Sequence, residues 1–382
     1  MGFLFWVSWA ALGATLWLAI DAAVGWRRLG ALARVAPDLA RPPALSVVVP
    51  ARNEAGTVEP ALRSLLALDY PALEVVAIDD RSSDATGGIL DRLAAEFPAL
   101  RVAHVRELPA GWLGKNHAMH LGAARARGDY ILFTDADVHF APSALTRAVA
   151  HCEARALEHL AVFPDVPARS RFLAMSLLAG MVGLLARYRP WRAVRTGRHG
   201  MGVGAFNLVR AEAYREAGGH ASIALEVLDD IELGRLMGRR GRQELLLGMG
   251  MVSVEIYRDA AEMVRGIQKN VFAFFEYRFA PMLAASAFVF ATSVWPWVGL
   301  VATDGPARWV NLATSLLLLA THADAARRFR YSALCLAYLP LNGVLTLLLF
   351  WQIAIATRLR GGIVWRGTFY PLAELRRARR RR

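Results

Sequence analysis

The chain has 382 residues, of which 55% are hydrophobic, and it carries a net charge of +13 at pH 7. Its length allows two or more domains with a sizeable core. The basic excess comes almost entirely from arginine and lies beside apolar segments, without interleaved aromatic residues. This pattern indicates a membrane surface and excludes nucleic acid as a partner. Only Cys152 and Cys335 are present, far apart in the chain, which excludes a disulfide framework and a cysteine metal cluster.

The first apolar segment is FLFWVSWAALGATLWLAIDAAV, residues 3–24. At 1.5 Å per residue it can cross a hydrocarbon core about 30 Å thick. No cleavage site of small residues follows, so residues 1–26 are predicted to be an uncleaved transmembrane anchor. Arg27, Arg28 and Arg34 come next and predict that this end faces the cytoplasm.

Residues 44–165 alternate between short β-rich runs and helical patterns. The runs LSVVVP, LEVVAIDD and YILFTDAD each end in polar residues, and TVEPALRSLLAL and ATGGILDRLAAEF separate them. This alternation predicts an α/β domain with a mainly parallel sheet. Ligands of such sheets bind beyond the carboxyl ends of the strands, where the polar clusters fall.

Beyond residue 170 the sequence predicts helices and loops, then an amphipathic interfacial helix within residues 257–280. A cytoplasmic middle domain and a cytoplasmic basic tail require an even number of crossings between them. Three apolar stretches are present, so one of them is expected to be re-entrant or interfacial. Either the short second stretch or the third, which PLNG interrupts, fits that role. The stretches are residues 281–303, 308–323 and 333–357.

The first two polar clusters suit a nucleotide. In VVVPARNEAGTV, Arg52 and Glu54 offer charge and hydrogen bonds to a nucleobase, although an ordinary strand–helix turn explains this stretch equally well. In AIDDRSSDAT, Asp80 is predicted to accept hydrogen bonds from a base or ribose. Ser83 and Asp84 are better explained as helix N-caps.

A third cluster contains Lys115, which follows a glycine and precedes a helix of small residues. This is a suitable position to meet a phosphate, although a solvated lysine is the usual alternative. Lysine occurs only at Lys115 and Lys269 in this arginine-rich chain, which favours a specific role for both.

The fourth cluster is the pair Asp135 and Asp137 at the end of ILFTDAD. Neighbouring carboxylates repel each other unless a cation neutralises them. Side chains at i and i+2 of an extended strand face the same way, so both can bind one ion. Mg²⁺ and Mn²⁺ prefer carboxylate oxygens and bridge readily to phosphates, which predicts a metal site for a diphosphate leaving group.

The fifth cluster, EVLDDIELG, contains Glu226, Asp229, Asp230 and Glu232, more acids than a helix start requires. One of them can serve as general base for an acceptor hydroxyl. Compensation of the helix dipole is the alternative explanation, above all for Asp229.

Together these clusters resemble the family 2 glycosyltransferases, which have the nucleotide-sugar-binding GT-A fold. The resemblance covers about residues 45–275 and is closest to membrane enzymes that glycosylate carotenoids, hopanoid-associated lipids or ceramide. GWLGKNHA, GIQKNVFAFFEYR and VWRGTFY are the stretches that carry this closer likeness.

The resemblance implies how the donor is held. Pro50, Arg52 and Glu54 would border the uridine pocket. Asp80 would hold the uracil or ribose, and Lys115 would lie near the donor.

The resemblance also implies the chemistry. Asp135 and Asp137 match the metal motif, with Asp137 expected to be the more direct ligand, and Asp135 is also expected to contact the nucleotide sugar. Asp230 takes the place of the catalytic base, and Asp229 replaces the usual glutamate before it. His220 is expected either to approach the donor diphosphate or to be structural.

The sequence therefore predicts a membrane-bound inverting transferase that moves one sugar, expected to be glucose, from UDP-sugar to a lipid hydroxyl with Mg²⁺ or Mn²⁺. A processive polysaccharide synthase is the first alternative, although IQKNVF lacks the Q-x-x-R-W signature of such enzymes. The second alternative is an inactive membrane scaffold with the same fold. The predicted domains are an anchor (1–26), a GT-A domain (44–256), an interfacial segment (257–280), transmembrane segments (281–358) and a basic tail (359–382).

Overall fold

The computed structural model describes residues 2–193 and 200–380, apart from the side chain of Arg380. The chain divides into two compact units. The sheet unit comprises Leu29–Pro167 and Tyr188–Glu255. The helical unit comprises Met1–Arg28, Ala168–Arg187 and Ile256–Arg382.

The strands fall into one large sheet in the sheet unit and a hairpin near the end of the chain. The strands are β1 (Gly30–Ala31), β2 (Leu45–Ala51), β3 (Leu73–Asp80), β4 (Leu100–Val105), β5 (Tyr130–Phe133), β6 (His139–Phe140), β7 (His159–Asp165), β8 (Asn207–Arg210), β9 (Gln243–Ser253), β10 (Gly362–Trp365) and β11 (Thr368–Pro371).

The α-helices are short in the sheet unit and longer in the helical unit. They are α1 (Phe3–Trp26), α2 (Val58–Leu66), α3 (Thr86–Glu96), α4 (Gly114–Arg125), α5 (Ala144–Arg155), α6 (Arg171–Tyr188), α7 (Ala211–Glu216), α8 (Asp229–Gly238), α9 (Ala260–Phe274), α10 (Phe279–Val289), α11 (Trp295–Ala302), α12 (Gly305–Arg328), α13 (Leu339–Arg360) and α14 (Leu372–Arg380).

The described residues of the sheet unit form one nine-stranded sheet, with the order β1-β9-β7-β8-β5-β2-β3-β4 and β6 paired to β9. Strands β5, β2, β3 and β4 run parallel, whereas β8 is antiparallel to both of its neighbours. The apolar runs of β2 and β3 are buried, as expected when helices cover both faces. The predicted α/β fold with a mainly parallel sheet is confirmed.

The sequence analysis was wrong about strands beyond residue 170, where it expected only helices and loops. Strand β8 has four residues, and β9 contains Gly248 and Gly250, which weaken its β-strand pattern. Both are strands because they complete the sheet beside β7, so tertiary pairing decides their conformation.

The limits of the sheet unit also differ from the predicted domain of residues 44–256. The unit begins at Leu29 because Gly30 and Ala31 pair with Leu246 and Leu247 of β9. It excludes residues 168–187, which pack with the helical unit.

The helical unit contains the predicted apolar stretches. Helices α10 and α11 are continuous through a π-helical turn, Phe290–Val294, and a 3₁₀ helix, Ala333–Tyr338, leads into α13. Among the described residues, four segments are long and apolar enough to cross a membrane. These are Phe3–Trp26, Arg171–Arg192, Phe279–Ala302 and Ala333–Arg360. The second was not predicted, and the predicted stretch 308–323, inside α12, is not among them.

The hairpin β10–β11 and helix α14 pack against α9 within the helical unit. The Lys269 Nζ atom lies 3.8 Å from the centre of the Trp365 ring, a cation–π contact. The Arg379 side chain donates a hydrogen bond of 2.9 Å to the carbonyl oxygen of Ala273, in the last turn of α9. This part of the predicted basic tail is therefore helical and caps a neighbouring helix; residues 381–382 lie outside the described residues.

His104 on β4 stabilises the edge of the sheet in a pH-dependent way. Its Nδ1 lies 2.9 Å from Asp79 and its Nε2 3.0 Å from Asp91. The hydrogen bond to Asp79, then that to Asp91, raises the pKa of His104 above its ordinary value. This contribution is complete below the ordinary pKa and is lost as the pH rises through the raised pKa of the folded state.

We expect His104→Gln to lower the free energy of unfolding by about 0.5–1 kcal/mol at pH 5.5, because the pair is partly exposed and screened. The loss should be smaller at pH 9 than at pH 5.5, because the imidazole gives up its proton as the pH rises through its raised pKa. Thermal unfolding of the full chain in detergent at both pH values measures this, with the exposed His139→Gln as control. An equal loss at both pH values would contradict the assignment.

Candidate active site

The three strands that end in the predicted polar clusters are neighbours in the sheet. Strand β2 lies between β5 and β3, with Val48 opposite Phe133 and Ala51 opposite Asp79. All three run parallel, so their carboxyl ends lie side by side at one edge. The polar clusters that follow them are therefore brought together.

The loops after β2 and β3 are fastened to each other by backbone and side-chain hydrogen bonds. The amide of Asn53 donates to Ser82 Oγ at 3.0 Å, and the amide of Ser83 donates to Asn53 Oδ1 at 2.8 Å. The Glu54 amide donates to Thr86 Oγ1 at 2.8 Å. Glu54 is thus held at the predicted nucleotide side, whereas Pro50 is half-buried inside β2 and pairs with Ile78.

Asp84 supports this loop pair. Its carboxylate accepts hydrogen bonds from the amides of Thr86 at 3.0 Å and Ala55 at 3.2 Å. The predicted N-cap role of Ser83 and Asp84 is wrong, because Ala85 is the N-cap of α3 and no side chain caps the helix there. Asp84 therefore joins a helix start to the neighbouring loop.

Asp80 lies at the end of β3, is only 3% exposed and is surrounded by two arginines. Its carboxylate lies 2.7 Å from Arg81 Nε and 3.7 Å from Arg52 Nη1. A Cβ atom at Gly114 would collide with the same carboxylate. Arg81, which the sequence analysis did not single out, has a left-handed φ of 57° that turns the chain out of β3.

Asp135 and Asp137 lie in the turn after β5 and not on the strand, which ends at Phe133. The expectation that they sit on an extended strand is therefore wrong. The alternation of burial nevertheless continues: Asp135 and Asp137 are half-exposed, whereas Ala136 and Val138 are buried. Both carboxylates thus remain on the accessible side of the turn.

Lys115, in the first turn of α4, bridges the fourth and fifth clusters. Its Nζ atom lies 2.8 Å from Asp135 Oδ1 and 3.4 Å from Asp229 Oδ2. Burial alone would lower the pKa of Lys115, but Asp135, Asp229 and Asp230 together raise it above its ordinary value. The ammonium group is therefore always charged and is not a solvated side chain.

Asp229 and Asp230 are the first two residues of α8, and a glycine-rich loop orients the second of them. The amide of Gly204 donates a hydrogen bond of 2.9 Å to Asp230 Oδ2. A Cβ at Gly202 would collide with the backbone of Asp230, and one at Gly234 with the backbone of the loop. The sequence GMGVG, residues 200–204, signals this close approach, but the sequence analysis did not use it.

Asp230 and Asp229 have different electrostatic surroundings. Burial, then the nearby carboxylate of Asp229, raises the pKa of Asp230 to about 6. Asp229 instead faces the Lys115 ammonium. A carboxylate with a raised pKa is suited to accept a proton near neutral pH.

His220 is packed as a structural residue. The Tyr214 hydroxyl lies 2.8 Å from its Nδ1 and accepts a 3.0 Å hydrogen bond from its backbone amide. The ring also packs against Phe133, with centroids 4.7 Å apart. Burial, then the charge of Lys115, lowers the pKa of His220 to about 3, so the imidazole is neutral.

Asn116 is a site residue that the sequence analysis missed. Its side-chain amide is fully buried and donates to the carbonyls of Ile223 at 2.8 Å and Glu226 at 2.9 Å. It follows Lys115 directly, and the chain it holds leads into Asp229. Asn116 thus fixes the segment before α8 to the helix that carries Lys115. Its place in GKNHA was the available signal.

We expect Asn116→Asp to lower the free energy of unfolding by about 2 kcal/mol, because buried carbonyl oxygens would lose their donor and face an acceptor. Thermal unfolding of the full chain in detergent measures the loss. Asn270→Asp, at a half-buried position on α9, is the matched control. Equal unfolding temperatures for the two variants would show that Asn116 does not fix this segment.

A divalent cation fits the carboxylates of Asp135 and Asp137. Burial, then the charges of Asp135 and Glu54, raises the pKa of Asp137 to about 7, so negative charge is in excess there. The described residues contain no group of three or more histidine, cysteine or acidic side chains placed to hold a metal. Mg²⁺ is commonly bound by one or two carboxylates together with substrate phosphates. Asp135 and Asp137 can provide the carboxylates.

Comparisons with known proteins agree with this fold. Residues 46–216 match the model of the family "Glycosyl transferase family 2". A mannosyltransferase from Pyrobaculum calidifontis, solved with GDP-Man and Mn²⁺, superposes with a TM-score of 0.50 at 21% identity, over 91% of this chain and 99% of that one. This likeness supports a GT-A fold.

Two curated relatives are glycosyltransferases by name. The 4,4'-diaponeurosporenoate glycosyltransferase of Staphylococcus aureus is 28% identical over 196 residues, half of each chain. The probable glycosyltransferase YdaM of Bacillus subtilis is 34% identical over 97 residues, 25% of this chain and 23% of that one. The matches thus span half or less of the length of these relatives.

Proposed function

We propose that the chain is a membrane-bound inverting transferase that moves one sugar from a nucleotide diphosphate sugar to a lipid hydroxyl, because residues 46–216 match the model of the family "Glycosyl transferase family 2". The observation that carries this proposal is the meeting of Lys115, Asp135 and Asp229–Asp230 at the shared edge of β5 and β2. UDP-glucose is the proposed donor.

The nucleotide end of the donor would lie beside the loops after β2 and β3. Asp80 is held there by Arg52 and Arg81, so its oxygens have a fixed direction toward a base or ribose. Glu54 and Pro50 would form the border of this pocket. The nearby arginine charges also favour a ligand with phosphates.

The diphosphate would lie near Lys115 and the pair Asp135–Asp137. Mg²⁺ or Mn²⁺ bound there would compensate the charge that develops on the leaving diphosphate. Lys115 contributes a second positive charge beside Asp135, and its position between two carboxylates keeps it protonated.

Asp230 would accept the proton of the acceptor hydroxyl while the oxygen attacks the anomeric carbon from the face opposite the diphosphate. The Gly204 amide holds Oδ2 of Asp230, and the Ile231 amide holds Oδ1 at 2.8 Å. These bonds fix the direction of the carboxylate, and its raised pKa keeps it basic enough to take a proton near neutral pH.

The helical unit supports the proposal of a lipid acceptor and of a place in the cytoplasmic membrane. Its long apolar segments give the chain a means to stay at the bilayer where such an acceptor is found. The name of the staphylococcal relative, a 4,4'-diaponeurosporenoate glycosyltransferase, favours an apolar acceptor. Arg27 and Arg28 after α1 favour a sheet unit that faces the cytoplasm.

We expect Asp230→Asn to lower the transfer rate by about 10²–10⁴-fold, the usual contribution of a general base. Donor affinity should stay within about twofold, because the amide keeps the shape of the side chain and removes only the proton acceptor. Labelled glycolipid formation and calorimetry with UDP-glucose measure the two quantities. The exposed Asp69→Asn is the control, and undiminished turnover in Asp230→Asn would remove Asp230 from the base role.

We expect Asp137→Asn to remove most of the Mn²⁺ dependence of donor binding, because one of two carboxylates that fit the ion is lost. Calorimetry with UDP-glucose, with and without Mn²⁺, should show at least a tenfold weaker affinity than wild type when Mn²⁺ is present. Asp69→Asn again serves as control. An unchanged response of Asp137→Asn to Mn²⁺ would contradict the metal site. If the wild type binds the donor in a metal-dependent way but transfers no sugar, the scaffold alternative is favoured.

A further inference from the structure

We propose that the chain crosses the membrane three times, through α1, the continuous helix α10–α11, and α12. Helix α6 and the segment Ala333–Arg360 enter and leave the bilayer on the side of the sheet unit. This assignment differs from the one that length and composition give, which includes α6 and omits α12. It does not depend on the proposed reaction.

Helix α6 cannot be a crossing because both of its ends continue into the same sheet. It follows β7 and precedes β8, and these strands pair directly, with Leu160 opposite Leu208. If α6 crossed, the chain would have to return through hydrocarbon before β8, and Arg189 and Arg192 follow α6 directly. Charged side chains are costly against lipid, so α6 lies in one leaflet.

Arginines at both ends of α6 support this placement. Arg171 and Arg187 are exposed at the two ends of the helix, whereas the side chains between them are mostly apolar. Arginine side chains at the ends of an apolar helix reach toward headgroups. If the helix lies in the membrane interface, both arginines can reach the headgroups of the same leaflet.

Helices α1 and α12 run parallel, which fixes the side on which α12 ends. The side-chain amide of Asn311 donates to Ser8 Oγ at 3.0 Å, and the guanidinium of Arg328 lies 5.9 Å from the ring centre of Trp26. Trp26 ends α1 just before β1. Arg328 is therefore on the side of the sheet unit, and α10–α11 must carry the chain to the opposite side before α12 returns.

The low hydropathy of α12 comes from residues that face protein. Asn311, Thr314, Ser315 and His322 are buried within the helical unit, whereas Trp309 and Leu316 are more than half exposed. Asn311 also donates to Thr303 Oγ1 at 3.3 Å. Polar groups that bond to neighbouring helices are tolerated in a bilayer, so this helix can cross despite its composition.

The segment Ala333–Arg360 begins and ends on the side of the sheet unit. It starts five residues after Arg328, the end of α12. It ends at the β10–β11 hairpin, whose Trp365 contacts Lys269 of α9, and α9 begins seven residues after β9. Both ends therefore lie on one side, and the segment is re-entrant.

Contacts inside the helical unit agree with a re-entrant path. A Cβ at Gly343 of α13 would meet the backbone of Ser293, so the helix packs closely against α10–α11. Phe172 of α6 and Tyr338, just before α13, have ring centroids 5.6 Å apart. The two non-crossing segments thus touch. With this path, the chain crosses the membrane twice between β9 and the basic tail, through α10–α11 and α12. This is the even number of crossings that a cytoplasmic domain and a cytoplasmic tail require.

Single-cysteine labelling of the full chain tests this assignment. Ser170, Arg187, Ser332, Ala373 and Asp304 are exposed and are each changed to Cys. Sealed vesicles of one orientation are treated with a membrane-impermeant maleimide, before and after detergent lysis. The wild type is the matched control, because Cys152 and Cys335 are buried.

We expect the first four cysteines to react from one face and Asp304→Cys from the other, with all five reactive after lysis. Labelling of positions 170 and 187 from opposite faces would make α6 a crossing. Labelling of positions 332 and 373 from opposite faces would show that the segment Ala333–Arg360 crosses the membrane. Labelling of Asp304→Cys from the same face as position 332 would show that α12 does not cross. This experiment does not measure sugar transfer, so a result that contradicts the topology does not contradict the proposed reaction. A failure of the proposed reaction likewise does not contradict the topology.

Discussion

The candidate site depends on how one ammonium group compensates several buried carboxylates. Lys115 lies between Asp135 and Asp229, and Asp230 is close enough to contribute to its raised pKa. Burial, then the neighbouring carboxylates, keeps the pKa values of Asp230 and Asp137 raised despite this one positive charge. The excess negative charge is what makes a divalent cation favourable there, and it leaves Asp230 ready to accept a proton.

This charge arrangement requires that separate parts of the chain approach each other very closely. Asn116 holds the segment before α8 by its carbonyl groups, so Asp229 stays within reach of Lys115. Gly202 and Gly234 allow the loop and the first turns of α8 to touch, because any side chain there would collide with backbone. The two glycines are thus needed because they lack a side chain, which lets the two backbone segments approach closely, and not only because they are flexible.

The same sheet that builds the site also constrains the path of the chain at the membrane. Strands β7 and β8 must stay paired, so an apolar helix inserted between them cannot carry the chain across. Hydropathy measures the composition of a segment, whereas crossing depends on which faces are covered by protein. Asn311 shows the difference, since its amide nitrogen donates to Ser8 and Thr303 inside the helical unit.

The sequence by itself determined the α/β fold, the polar ends of β2, β3 and β5, and the pairing of Asp135 with Asp137, because apolar runs and the residues that follow them are local features. It also identified Lys115 and Asp230 as separate candidates. Only the tertiary structure decided that these two meet, that Asp229 faces the lysine, and that His220 is enclosed by Tyr214 and Phe133. Strands β8 and β9 belong to this second group, because hydrogen bonds to distant strands give them their conformation. Long-range contacts of this kind leave no periodic signal in the chain, which is the physical reason why they could not be predicted.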